Sequence, residues 1–148
     1  MTPSRNAIYN ALFNVLQGTP GIAAFGRKYV PWTQVRSQPY LILREYGETY
    51  EWPLGRRGPA KPTLISNLIL YSRADDPNIS GAIALNDLID AIENQLIPQL
   101  KVGIPQTLGG QVHWARFQGR QTIYEGDNQA QAITVIELHV LALGALSI

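Results

Sequence analysis

The sequence contains only two histidines, His113 and His139, that could act as catalytic or metal-binding residues. A catalytic zinc site takes three protein ligands, and the chain has no HxxxH or HExxH motif. His113 stands beside Trp114 in a predicted strand, which favours a polar residue on one face of a sheet. His139 alternates with Glu137 on the last predicted strand, so we expect a same-face pair with a cross-strand or interface role.

Three carboxylates, Asp87, Asp90 and Glu93, follow one another at three-residue spacing on one side of a predicted helix. Such a row could bind a metal or serve acid–base catalysis, but it is far more often the solvated face of an amphipathic helix. A small hydrolase or nuclease with a site assembled from Asp87, Asp90, His113 and Glu137 stays an alternative, because residues distant in sequence can meet in a fold.

Other catalytic signatures are absent from the sequence. No serine lies in a GxSxG or SxxK motif, and no Walker or GxGxxG motif occurs. There is no cysteine, so thiol catalysis and Fe–S clusters are excluded. We therefore predict that the protein is not an enzyme and takes no cofactor and no metal.

One basic and aromatic cluster stands out, formed by Trp52, Arg56, Arg57 and Lys61. Binding to nucleic acid is one interpretation, although three cations would give only a weak, salt-sensitive interaction with phosphates. Contact with an acidic neighbouring subunit is favoured. Our candidate interface residues are these four together with two from the last strand, namely Trp52, Arg56, Arg57, Lys61, Glu137 and His139.

Composition sets the class of protein. The length of 148 residues predicts a single domain over 1–148. Because 12 basic residues are balanced by 11 acidic ones, the sequence lacks the excess positive charge expected of a sequence-specific DNA-binding protein. The start of the sequence lacks a signal peptide, and no run of about 18 apolar residues occurs. We expect a protein that folds in a reducing cytoplasm and has no membrane partner.

Hydrophobic periodicity predicts two helices and several strands. Ser4 should cap a first helix that ends at the turn 18–21, and a second apolar helical face runs from Leu85 to Leu96 before Pro98. Strands are predicted at 22–30 with an interruption at Gly26, then at 40–44, 63–73, 112–117, 122–125 and 130–143, with turns at Gly119 and at 126–128.

This order predicts an α+β fold, with a mostly antiparallel sheet and two helices packed on one face. Residues 46–62 change character, because alternation at 48–52 gives way to a stretch rich in glycine, proline and arginine. We expect this segment, the arm, to protrude as a hairpin or a loop.

The order of the predicted helices, strands and glycine- or proline-containing turns resembles that of a known family, the tail terminator or tail-completion proteins of long-tailed bacteriophages. The resemblance begins with 18–22 after the first helix, Arg27-Lys28, Trp32 and the strand 38–43. It continues through a long strand, Asp76-Pro77 and the helix 84–92, and ends with 107–110, the Gly119 turn and the strand after Gly126-Asp127. It covers nearly the whole chain in short pieces, and 52–62 match least.

The resemblance implies a structural virion protein, assembled in the host cytoplasm and located at the head-proximal end of the tail. There a ring of copies, a hexamer, would stop growth of the tail tube and contact a head-completion or neck protein. DNA would pass through the lumen without sequence-specific binding. The family has no catalytic residues to carry over. Another head–tail joining protein or a tail-tube-like protein is the alternative.

A ring built from one kind of chain joins two different surfaces of each subunit. Open sheet edges and arms supply such surfaces through strand addition. We expect the long last strand and the arm to take this role. Proline at Thr134 or Val135 should then impair folding or ring formation.

Overall fold

The computed structural model describes residues 3–51, 60–76, 78–97, 104–124 and 131–144. Within these residues, one mixed sheet carries two helices on one of its faces. The elements in chain order are α1 (Arg5–Leu16), β1 (Ala24–Gly26), β2 (Tyr40–Glu51), β3 (Lys61–Arg73), α2 (Gly81–Leu96), β4 (Val112–Tyr124) and β5 (Gln131–Ala142), with a short 3-10 turn at Trp32–Gln34. The predicted α+β class is confirmed.

The five strands lie in the order β1-β2-β3-β5-β4. The short β1 runs parallel to β2, and every other neighbouring pair is antiparallel. The last strand of the chain, β5, is therefore central, with β3 on one side and β4 on the other. Both of its edges are already paired, so our expectation that it adds to a neighbouring subunit by strand addition is wrong.

The first helix begins at the predicted cap, Ser4, and the second begins after Ser80, a cap that the sequence analysis did not name. The Ser4 hydroxyl accepts a hydrogen bond from the Ala7 amide at 3.2 Å, and the Ser80 hydroxyl accepts one from the Ala82 amide at 3.2 Å. Each serine satisfies an amide that the first helical turn leaves without a partner. The apolar face of each helix is buried, with Ile8, Tyr9, Leu12 and Leu16 on α1 and Leu85, Ile89, Ile92 and Leu96 on α2.

The main core lies between these helices and alternate residues of the central strands. Even-numbered apolar residues of β3 and β5 face the helices and are almost fully buried: Leu64, Leu68, Leu70, Ala132, Ile136, Leu138 and Val140. Because successive strand residues point to opposite faces, the odd-numbered residues of both strands lie on the helix-free face.

A second, smaller core covers one end of the helix-free face. Ile42, Ile69 and Tyr71 pack there against residues 30–35 of the chain between β1 and β2. The Tyr71 hydroxyl donates a hydrogen bond to the Val30 carbonyl at 2.7 Å. Burial, with Tyr29 close by, raises the pKa of Tyr71 to about 12. This contact fixes the covering segment to the sheet.

One predicted strand, one predicted division between strands and one predicted turn differ from the structure. The predicted strand 22–30 is reduced to the three residues of β1. The strands predicted on either side of Gly119 are one strand, β4, in which the register shifts between Phe117 and Gln121. Gly119 has a φ of +97° within this bulge, so the predicted turn there is wrong.

The arm begins as a hairpin. Residues 46–51 continue β2 past a bulge between Glu45 and Gly47, and Lys61 opens β3 opposite Glu51. The hairpin tip at 52–59, with Trp52, Arg56 and Arg57, lies outside the described residues, as does the predicted turn at 126–128.

Candidate functional site

The residues considered for a hydrolase site do not come together. Asp87, Asp90 and Glu93 are exposed on α2, which packs on one face of the sheet. Glu137 is an odd-numbered residue of β5 and lies on the opposite face. In the described parts of the chain, no three His, Asp or Glu side chains lie close enough to hold a metal ion. The exposed carboxylates on α2 form the solvated face of an amphipathic helix.

The better candidate for a functional surface is the half of the helix-free face that none of the described segments covers. We call it the open face and define it by Ile65, Asn67, Trp114, Arg116, Glu137 and His139. The strand register brings these residues together, because Asn67 pairs with Glu137 and because Ile65 and Arg116 flank His139 from either side. Arg116 is exposed and the other five are partly exposed.

Glu137 and His139 form the predicted same-face pair. The Nε2 atom of His139 lies 3.1 Å from Oε2 of Glu137, and their side chains are 15% and 30% exposed. The distance suits an ion pair, but the alignment makes no hydrogen bond, and Nε2 is buried without a hydrogen-bond partner among the described residues. Because buried polar atoms rarely stand alone, the Glu137 carboxylate is the group that compensates this nitrogen among the described residues.

The open face also contains two residues that the sequence analysis did not select for an interface. The Arg116 guanidinium lies 3.8 Å from the centre of the Trp114 ring, and its Nε donates to Oε1 of Gln118 at 3.0 Å. A cation over an aromatic face is an attractive arrangement, and Arg and Trp often dominate binding at protein interfaces. Their spacing of two along a strand is the sequence signal that could have found them.

His113 is exposed, as expected of a polar residue in a strand. It stands at the register shift between Val112 and Trp114. Lys61 is partly exposed at the start of β3. As an odd-numbered residue it alternates onto the same face as Ile65, so one basic residue of the arm lies at the border of the open face.

Two strand segments have free outer edges in the described part of the chain. The first is 46–51 of β2, beyond the three residues paired with β1, and the second is 118–124 of β4. Both carry exposed aromatic side chains, with Tyr46 68%, Tyr50 57% and Tyr124 59% exposed. The two segments lie on opposite edges of the sheet, so one molecule offers two different surfaces for strand addition.

The free segment of β2 is tied to the rest of the molecule. Two nitrogens of Arg5 at the start of α1 donate to the two carboxylate oxygens of Glu48, one of them at 2.9 Å. This contact lowers the pKa of Glu48. Nearby, Arg27 lies 3.1 Å from the carboxylate of Glu45 and donates to Asn10 at 2.7 Å. These contacts hold the base of the arm in place.

Comparisons with known proteins do not show a family for this chain. No family model matches the sequence, and no curated protein matches it. None of the described helices is long and apolar enough to cross a membrane. The chain has a weak structural similarity to the sheath/tube terminator of an extracellular contractile injection system, PVC, determined by cryo-EM in the extended state. The TM-score is 0.40 and the identity 15%, and the match covers 100% of this chain but only 61% of that one.

Proposed function

We propose that this protein is a structural subunit of a phage tail, a tail terminator. Copies of it would form a ring at the head-proximal end of the tail tube, stop tube growth and meet a head-completion or neck protein. The resemblance of the sequence to that family suggests the role, and the arrangement of the free sheet edges supports it.

The observation that carries the proposal is the pair of free edges on opposite sides of one sheet. From β2 through β3 and β5 to β4, each strand runs antiparallel to its neighbour. It follows that β2 and β4 run in opposite directions. When two copies have the same orientation, β4 of one is antiparallel to β2 of the next, which is a permitted pairing. Residues 47–51 are level with 61–65 of β3, whereas 121–124 are level with 68–71, so the copies must be offset along the strands for the two free segments to pair. Repetition of this head-to-tail contact closes into a ring or grows into a filament.

The open face supplies a separate surface for a different partner. It carries the stacked Arg116 and Trp114, and Arg116 is the register partner of His139. Arg and Trp often dominate binding at protein interfaces, so these two residues would anchor the partner. In the proposed ring this face meets the tail tube or the neck protein.

The test combines mass in solution with negative-stain images of the purified chain. We expect a ring of about six copies, formed by one repeated head-to-tail contact, and arrest of tube growth when the ring is added to polymerising tube protein. A single ring at the end of the tube fits a terminator, whereas many stacked rings fit a tube-like protein. A chain that stays monomeric at high concentration and is absent from purified particles contradicts the proposal.

Variants in the free edge of β2 test whether strand addition makes the contact between copies. Lysines at Tyr46 and Tyr50 should weaken ring formation, because charged side chains on an edge oppose strand addition. Asn14→Lys is the control for added charge, since Asn14 is exposed on α1 and belongs to neither edge segment. If the edge variants assemble like the control, strand addition through β2 is not the ring contact.

A further inference from the structure

A cleft at the junction between β3 and α2 has no role in the fold described so far. It encloses about 310 Å³ and is lined by Ile79 and Ile83 together with the charged residues of its rim. The two isoleucines are 56% and 58% exposed, which is unusual for side chains of this size and hydrophobicity. An apolar floor that stays open to water is typical of a docking site.

The rim of the cleft is acidic. Asp75, Asp76 and Asp87 line it beside a single cation, Arg73, so its formal charge is negative. All four residues are exposed. Asp76 accepts a hydrogen bond from the Asn78 amide at 2.9 Å and so has a structural role in the turn. The partner that fits this surface combines apolar groups with positive charge.

The arm tip, residues 52–59, has this chemistry. Its sequence WPLGRRGP contains two cations, Arg56 and Arg57, and no carboxylate, and its two large apolar residues are Trp52 and Leu54. Charge and hydrophobicity are therefore complementary between the arm tip and the cleft.

The arm tip cannot reach the cleft of its own molecule. Strand β3 starts at the arm with Lys61 and ends at the cleft with Arg73, 13 residues in all. At about 3.3 Å per residue the two ends lie roughly 40 Å apart. Nine residues connect Glu51 to Lys61, so the length of the chain keeps each of them within about 16 Å of one of these two residues. The contact must be made between copies.

We propose that the arm tip of one copy docks in the acidic cleft of the next copy. This inference rests on the proposed function, because it supplies a second head-to-tail contact to the same ring. The two surfaces lie at opposite ends of one strand, so the contact needs copies that are offset along the strands, as the pairing of the free edge segments also does. It joins two different surfaces and therefore propagates in one direction. Ile79 and Ile83 would pack against Trp52 or Leu54. The carboxylates of the cleft rim would form ion pairs with Arg56 and Arg57.

A charge swap tests the pairing. We expect Asp75→Lys with Asp87→Lys to weaken self-association at least about tenfold at low salt, since like charges then face each other. Arg56→Glu with Arg57→Glu should do the same. The chain with all four changes should recover to within about threefold of the original, because the charges are complementary again. Sedimentation velocity measures the association, and thermal unfolding of each variant confirms that the fold is intact.

A second measurement does not depend on charge. The chain has no cysteine, so single cysteines give specific cross-links. A mixture of Leu54→Cys chains and Ile83→Cys chains should form a disulfide-linked dimer under mild oxidation. Tyr46→Cys in place of Leu54→Cys is the control, because Tyr46 is exposed but lies before the tip.

The outcomes separate the two proposals. A chain that assembles normally with reversed charges in the cleft, or one that the charge swap fails to restore, overturns the arm contact and leaves the ring intact. The arm contact is likewise overturned if Ile83→Cys chains form a disulfide with Tyr46→Cys chains more readily than with Leu54→Cys chains. An original chain that never assembles overturns the proposed ring itself.

Discussion

Replacing Gly119 by alanine tests how the bulge of β4 is built against the open face. Gly119 has a φ of +97°, and a β-carbon added there would overlap the carboxylate oxygen Oε2 of Glu137 and lie 2.6 Å from its Cδ. The variant therefore meets two penalties at once. One belongs to the backbone, and the other comes from the displacement of Glu137 away from His139.

The two penalties can be estimated separately. A positive φ costs an L-residue about 1–2 kcal/mol, and alanine recovers about 0.4–1 kcal/mol by restricting the unfolded chain, so the backbone share is about 1 kcal/mol. Glu137 is partly exposed and can turn aside, which costs about 0.5–1.5 kcal/mol in rotamer energy and in the weakened approach to His139. We expect Gly119→Ala to lower the free energy of unfolding by about 2 kcal/mol.

Urea unfolding followed by circular dichroism measures this change. With a denaturant slope of about 2 kcal/mol/M, the midpoint should fall by about 1 M. Gly109→Ala is the matched control, since Gly109 has a φ of +73° and nothing within 4 Å of an added β-carbon. Gly109→Ala should lower the free energy of unfolding by the backbone penalty alone. In a Glu137→Ala background, the cost of Gly119→Ala should fall to the same value, with a coupling of about 1 kcal/mol.

The reasoning fails if Gly119→Ala costs no more than Gly109→Ala and does not respond to Glu137→Ala. That result would mean that Glu137 does not pack on the bulge. Its approach to His139 would then not depend on the glycine.

Three further changes probe other parts of the fold. Tyr71→Phe should lower the free energy of unfolding by about 1 kcal/mol, because the Val30 carbonyl loses its donor. The raised pKa of Tyr71 means that its contribution to the free energy of unfolding is complete below pH about 10 and is lost as pH rises toward about 12. In urea unfolding measured over this pH range, Tyr71→Phe should lack that decrease in stability. The pKa of Glu48 is lowered by Arg5, so its contribution is present at neutral pH and disappears on acidification. Glu48→Gln should cost only about 0.5 kcal/mol at pH 7, as is usual for exposed pairs, and nothing at pH 3; equal losses at both pH values would contradict the ion pair. Val135→Pro should prevent normal folding and not merely ring formation, because β5 is paired on both sides; a folded monomer by circular dichroism would contradict this.

Local patterns determined the two helices and most strands. Ser4 and Ser80 cap their helices through amides two or three residues away, and the buried leucines recur every three or four residues. The strand alternation around Leu68 and Leu138 placed the correct residues in the core. All of these features depend on interactions within a few residues, which a sequence displays directly.

The candidate surface was predictable only in part. Glu137 and His139 were selected because alternation puts them on one face of a single strand. Arg116 and Trp114 were missed, because they belong to another strand that the register brings beside His139. The acidic cleft was missed as well, since the apolar exposure of Ile83 becomes visible only when the rest of α2 is packed.

What the tertiary structure alone decided is which elements are neighbours. The sequence by itself determined the element types and the α+β class through capping and periodicity. It did not determine that β5 lies in the centre of the sheet, or that Gly119 forms a bulge and not a turn. Alternation shows which face of a strand is buried but not which strand pairs with it, and glycine permits a positive φ in bulges and turns alike. Those choices follow from packing the whole core, where the contacts join residues far apart in the chain.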